Sequence, residues 1–389
     1  MASSPGTVAG ALLALFAAGV GPGAASVGSG LRAHEAAPAA DTSEAIAPGR
    51  LTRSVTAASD SAERYALYVP SSFDPSRRWP VLFVMDPRGR ALLAMGLFRD
   101  PAEARGWIVL SSYNTVSDST LEPNRRAVAA MLNDAQRLFP VDTSRLYFAG
   151  FSGTARLAWL FALDLGGHVA GILGFGGGFP NGVAAESFAG LAGGHLSFYG
   201  GAGVEGFNYD EMTRLEGQLR DLGIPARIVS YPGGHGWAPA SAVRGGVDWL
   251  ELRAMRQGLE PMDDALVDSL LAAARSGARA LEAGGDAAGA LRAYRGLVDD
   301  FSGLRDVEAE REVAAGLARS PEVRRREKRE KALMDESLDF RRRAARVLAD
   351  ARSEEPAPST DDLARRLELD RLQARASGDD SLDAAFARR

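Results

Sequence analysis

The chain has 389 residues, 46% of them hydrophobic, and 45 Lys and Arg against 50 Asp and Glu give a formal charge of −5. Length and apolar content support a real core, in two domains or in one domain with appendages. The charge gives no case for nucleic acid or an anionic membrane surface, and the lack of cysteine excludes disulfides, metal thiolates and a lipid-anchored cysteine.

From the start of the chain, residues 8–18 form an apolar run, followed by small residues at Ala24-Ala25-Ser26, with no Lys or Arg before Arg32. The expectation is a signal peptide over 1–26 and export to the periplasm or beyond, with a cytoplasmic chain as the alternative. Residues 27–49, rich in Ala, Gly, Pro and Ser, read as a flexible linker. Two short strands, 51–58 and 64–69, read as a hairpin, and 80–85 and 107–111 as buried strands. A helix over 125–139 ends at Pro140. Next come a strand over 145–149 and a helix over 155–163, then strands at 169–175, 196–199 and 226–231. A one-sided apolar stripe marks a helix over 210–222, and a last helix covers 243–255. Strands alternating with helices predict an α/β fold with a mostly parallel sheet flanked by helices, over 50–258.

Gly150-Phe151-Ser152-Gly153-Thr154 joins that strand to that helix. A sharp strand-to-helix turn presents a serine hydroxyl at the sheet's edge, and the Gly153 N–H at the helix N-terminus would face an oxyanion. A serine nucleophile needs a base. Of the four histidines, His34 lies in the leader region, His168 ends the helix after the serine, and His195 opens a strand. His235 sits in the loop Gly233-Gly234-His235-Gly236-Trp237, after the last strand, which makes it the candidate base.

These residues resemble the α/β-hydrolase superfamily, and most nearly its dienelactone-hydrolase and polyhydroxybutyrate-depolymerase-like esterases. The resemblance covers roughly 50–255 and implies a Ser-His-acid acyl-enzyme mechanism, no cofactor, no metal, and a small-molecule ester or peptide substrate. It implies a second oxyanion donor after strand 80–85, where the chain has Asp86-Pro87-Arg88-Gly89. Pro87 has no N–H, which leaves Arg88. Thr154 replaces the glycine that ends the family's serine motif, a β-branched residue expected to crowd helix against strand. The family's acid follows strand 196–199 on a Gly-x-x-Asp pattern. Here a glycine, Gly206, stands at that point, with Glu205 one residue early and Asp210 four residues late. Glu205 is the first choice, no functional acid the second, and Asp210 the third. The same stretch, Gly201-Ala202-Gly203-Val204-Glu205-Gly206, matches a dinucleotide fingerprint, but it follows a late strand and its helix begins too far on.

Beyond Pro261 the pattern is all-helical. Residues 262–320 resemble a tetratricopeptide unit, with Ala278, Ala290 and Tyr294 at its small, small and aromatic positions. Residues 321–352 read as a charged helix with interleaved signs, and a thin apolar stripe of Leu333, Leu338, Ala345 and Leu348 offers one face to a partner. Residues 353–389 read as a polar, partly disordered tail with one helix near 361–374. Two functions stand: a serine esterase-type hydrolase, or a degenerate hydrolase fold kept as a binding or scaffold module whose C-terminal helices meet a protein partner.

Overall fold

The computed structural model describes residues 46–117, 119–378 and 382–389. The expected signal peptide, the linker as far as residue 45, and His34 lie outside the described residues. In chain order the first elements are β1 (Leu51–Thr56), β2 (Arg64–Tyr68), β3 (Trp79–Met85), α1 (Ala91–Arg105), β4 (Ile108–Ser112), α2 (Leu121–Leu138) and β5 (Val141–Phe151). Then follow α3 (Gly153–Leu165), β6 (Val169–Phe175), β7 (Ser197–Gly203), α4 (Tyr209–Asp221), β8 (Ala226–Tyr231) and α5 (Ala240–Arg256). The strands form one eight-stranded sheet in the order β1-β2-β4-β3-β5-β6-β7-β8. The β1–β2 and β2–β4 pairs are antiparallel, and every other pair is parallel. This is the α/β-hydrolase-type sheet anticipated from the sequence.

The strands read as continuous apolar runs because helices cover both faces. All seven residues of β3 and of β6 are buried. Alternation along β5 sends Tyr147, Ala149 and Phe151 to the face where α1 and α5 bring Met95, Phe98, Val243 and Leu250. Phe148, on the other face, meets Phe161 of α3 at 5.7 Å between ring centroids, and Trp159 stacks on Phe198 at 5.1 Å. Truncating any of these rings to alanine would cost about 3–5 kcal/mol. The helix α1 has no counterpart in the sequence reading, and strand β7 begins at Ser197, so His195 precedes the strand it was expected to open.

Strand order reverses around β3. β4 lies on one side of it and β5 on the other, with Met85 in register with Gly150. Such a switch point opens a crevice at the carboxyl ends of the strands. Here it sets the loop after β3 beside the turn after β5.

The chain divides into two compact units. One contains the residues up to Gly203 together with Glu211–Tyr231 and Gly236–Pro261. The other contains Val204–Asp210, Pro232–His235 and Met262–Arg389. The second unit holds α6 (Asp264–Ala283), α7 (Ala287–Phe301), α8 (Glu308–Arg319), α9 (Pro321–Ala351), α10 (Thr360–Arg366), α11 (Leu369–Ala376) and α12 (Leu382–Arg388). Asp263 and Asp286 cap α6 and α7, accepting from the N–H groups of Leu266 and Gly289 at 3.0 and 2.9 Å. Ala278, Ala290 and Tyr294 are all buried in one cluster with Leu291, Ala314 and Val323. The C-terminal region is all-helical, with α8 as a helix not anticipated. Along α9, Leu333 is buried but Leu348 is 46% exposed, so the stripe is covered at one end only. Two short helices, α10 and α11, stand where one helix near 361–374 was expected.

Candidate active site

Ser152 occupies the turn between β5 and α3 with φ 55° and ψ −124°, a backbone conformation rarely taken by a residue with a side chain. Holding it costs of order 1–3 kcal/mol, which the surroundings must over-determine. They do so through the backbone. The Ser152 N–H donates to the Phe175 carbonyl at 2.8 Å, and the Ser152 carbonyl accepts from Ala155 at 3.1 Å. Glycines clear the space. A Cβ at Gly150 would lie 2.5 Å from the Ala155 nitrogen, and one at Gly177 2.4 Å from the Ser152 carbonyl oxygen. Gly153 is the first residue of α3, so its N–H has no acceptor within the helix and sits at the positive end of the helix dipole.

Thr154 does not crowd the turn, contrary to expectation. Its hydroxyl contacts the Met85 carbonyl at 2.7 Å and the Phe151 carbonyl at 2.9 Å, and accepts from the Phe151 N–H at 3.1 Å. The extra atoms tie the serine turn to the end of β3.

The loop after β3 is built around Asp86. Its carboxylate accepts from the N–H groups of Arg88 and Arg90 at 2.9 and 3.2 Å, from the Arg90 guanidinium at 2.9 and 3.0 Å, and from the Trp237 indole at 2.8 Å. Burial alone would raise this carboxyl, but these donors together hold it below its ordinary value. The Arg88 N–H, expected to face an oxyanion, therefore donates to Asp86 in this structure. An Asx turn at Asp86 was the sequence signal for that use. Trp237, two residues after His235, packs on Phe151, the residue before the serine, at 5.7 Å between centroids, and on Phe98 at 5.9 Å. Neither Asp86 nor Trp237 had been assigned a role from sequence. Arg156, on the first turn of α3, bonds Glu211 at 2.7 Å and the Phe179 carbonyl at 2.6 Å.

His235 and both candidate acids fall in the second unit. The Glu205 N–H donates to the Gly233 carbonyl at 3.0 Å, which lays the loop after β7 along the loop after β8. The His235 ring lies 4.2 Å from the half-exposed Phe207 ring, between centroids. The carboxylates answer arginines instead. Glu205 pairs with Arg388 at 2.8 Å. Asp210, fully buried, pairs with Arg389 at 3.0 Å, with Arg341 at 3.5 Å from its other oxygen. Among the described residues neither carboxylate hydrogen-bonds the imidazole, so the expected acid-to-histidine contact is not formed in this structure. His168, just after α3, contacts the Thr143 carbonyl at 3.0 Å through Nδ1. Among the described residues no group of three or more His, Asp or Glu side chains is placed to hold a metal.

No family model and no curated protein matches the chain. Among solved structures, its neighbours are esterases and serine hydrolases. A thermostable esterase matches 51% of this chain and 61% of its own length, at 18% identity and a TM-score of 0.40. FphF, a fluorophosphonate-binding serine hydrolase of Staphylococcus aureus, matches 52% of this chain and 99% of its own, at 14% and 0.41. Est1E from Butyrivibrio proteoclasticus matches 53% and 100%, at 12% and 0.40. The chain thus spans about three fifths of the length of the first of these. Its own strand order and serine turn carry the fold assignment, and neighbours at these scores add nothing to it.

Proposed function

We propose that the protein is a serine hydrolase that cleaves a carboxylic ester, or an amide, through an acyl-enzyme. Ser152 Oγ attacks the acyl carbonyl, and a new C–O bond forms. His235 takes the hydroxyl proton and returns it to the leaving group as the original C–O or C–N bond breaks. The Gly153 N–H holds the oxyanion. Water then attacks the acyl-enzyme by the same route. Glu205, or Asp210, supplies the carboxylate that orients the imidazole once it is free of its arginine. No cofactor is needed.

The observation that carries this reading is the strained Ser152 backbone, φ 55°, in a turn whose neighbours are cleared by glycine. Strain of that kind is kept where a side chain must project from a sheet edge. The test is hydrolysis of p-nitrophenyl butyrate together with labelling by a fluorophosphonate probe. Turnover and labelling that disappear in Ser152→Ala support the enzyme, and a well-folded protein that does neither removes it.

A second reading, a binding or scaffold module on a hydrolase fold, is favoured by one observation: each candidate carboxylate is paired with an arginine. The C-terminal helices would then present the partner surface. Probe-negative protein is the outcome that selects this reading.

A further inference from the structure

The loop 204–210 is gripped by three arginines of the C-terminal helical region. Arg389 makes three contacts with it. Its guanidinium pairs with the buried Asp210 at 3.0 Å, its Nε donates to the Val204 carbonyl at 2.8 Å, and it lies over the Tyr209 ring at 3.7 Å from the centroid. Arg388, one residue earlier, pairs with Glu205 at 2.8 Å. Arg341 of α9 donates to the Phe207 carbonyl at 2.5 Å. An aromatic platform, a desolvated carboxylate and a carbonyl form a built guanidinium site. With the Arg389 side chain 9% exposed and Asp210 1%, the pair is barely screened, whereas Glu205 is 42% exposed and its pair is weak.

What presents these arginines is slight. Helix α12 has seven residues and buries only Ala384 and Phe386. Asp383 also pairs with Arg329 and Arg375, Arg375 lies over the Phe386 ring at 4.8 Å, and Arg388 donates to the Ala376 carbonyl at 3.3 Å. A helix this short has little stability of its own, and such segments open locally at low cost.

We infer that α12 and Arg389 form a removable arginine latch that occupies a guanidinium site on the acid loop and holds the hydrolase in a low-activity state. The inference rests on the serine-hydrolase reading above. While latched, Asp210 faces Arg389 and Arg341 and Glu205 faces Arg388, so the negative charge that would stabilise an imidazolium is offset by guanidiniums. Withdrawal of α12 returns both carboxylates to the loop, next to the chain segment that carries His235.

The test uses the full chain with Arg388→Ala and Arg389→Ala combined, assayed with p-nitrophenyl butyrate and a fluorophosphonate probe. The expected result is a rise in turnover of about 5- to 150-fold, the usual range for coupling between two states. Adding Asp210→Asn or Glu205→Gln to that background should cancel the rise. Arg389→Lys, which keeps the charge but not the planar stacking, should give a smaller rise. If the double variant does not fold, Arg388→Ala alone, at the exposed pair, carries the test and should raise turnover in the same direction. Ser152-dependent turnover that is equal in the wild type and the latch variants, or lower in the variants, overturns the latch and leaves the hydrolase reading standing. Absence of Ser152-dependent labelling from every protein in the set overturns both.

Discussion

The serine turn and the acid loop obtain their geometry in opposite ways. Around Ser152 much of the backbone support is local: Gly150, Gly153 and Thr154 lie within two residues, and contacts at Met85 and Phe175 come from neighbouring strands. Around Asp210 the decisive partner lies 179 residues away in sequence. The first arrangement is dedicated to presenting one hydroxyl. The second is a set of ion pairs with a separable donor.

The contrast breaks most visibly at the nucleophile. Ser152→Ala should lower turnover by about 10⁶-fold, the loss found when a triad serine is removed. Ser152→Gly should be equally inactive yet more stable than Ser152→Ala by about 1 kcal/mol, because glycine adopts the positive φ without strain. Denaturant midpoints of the two variants test that. Equal midpoints would mean the turn stores no strain.

On the other side, Asp210→Asn removes a buried charge opposite Arg389 and Arg341 and should weaken the docked state of α12 far more than Glu205→Gln, which at a half-exposed pair should cost under about 1 kcal/mol. Hydrogen exchange of the 204–210 amides reads both. Similar protection in the two variants would erase the distinction between an inner and an outer pair.

A second buried carboxylate, this one under the sheet, sharpens the comparison through pH. Glu251 of α5 accepts from the Trp107 indole at 2.7 Å, with Arg145 at 3.8 Å. Burial pushes it up to about 7, against these two groups, which lower it. A carboxyl raised on folding contributes stability below its unfolded value, and that contribution fades as pH rises. Stability should therefore fall between about pH 4.5 and 7 and level off above, by up to about 3 kcal/mol. Glu251→Gln, which keeps the acceptor for Trp107, should flatten that segment of the stability–pH curve. An unchanged slope in the variant would assign the dependence elsewhere.

What was legible in the sequence follows the same division. Strands β3 and β6 announce themselves as unbroken apolar runs, and the serine turn as a glycine-flanked motif between strand and helix. Helix α1 escaped because Pro101 lies inside it and no side chain caps its start. The Arg88 donor failed because a side chain two residues back, Asp86, takes its N–H. The arginine pairing of Glu205 and Asp210 has no local signature, since ion pairs across such separations leave no periodicity or motif behind them.

Thr154 offers the finest test of how local the serine turn is. Its hydroxyl bridges the Met85 and Phe151 carbonyls, one on each of two neighbouring strands, and also receives the Phe151 N–H. Thr154→Val keeps the shape and removes only these bonds. It leaves a buried N–H and one carbonyl short of a partner and should cost about 1–3 kcal/mol. Thr154→Gly loses the same bonds and also leaves space at the first turn of α3, so it should be the less stable of the two. If the hydroxyl fixes the turn, both variants should also lose turnover by about tenfold through a displaced Ser152, since small misplacements of a catalytic group are costly. Should Thr154→Val lose stability but no activity, the backbone contacts of Phe175 and the glycines suffice to hold the serine, and the threonine serves the sheet rather than the chemistry.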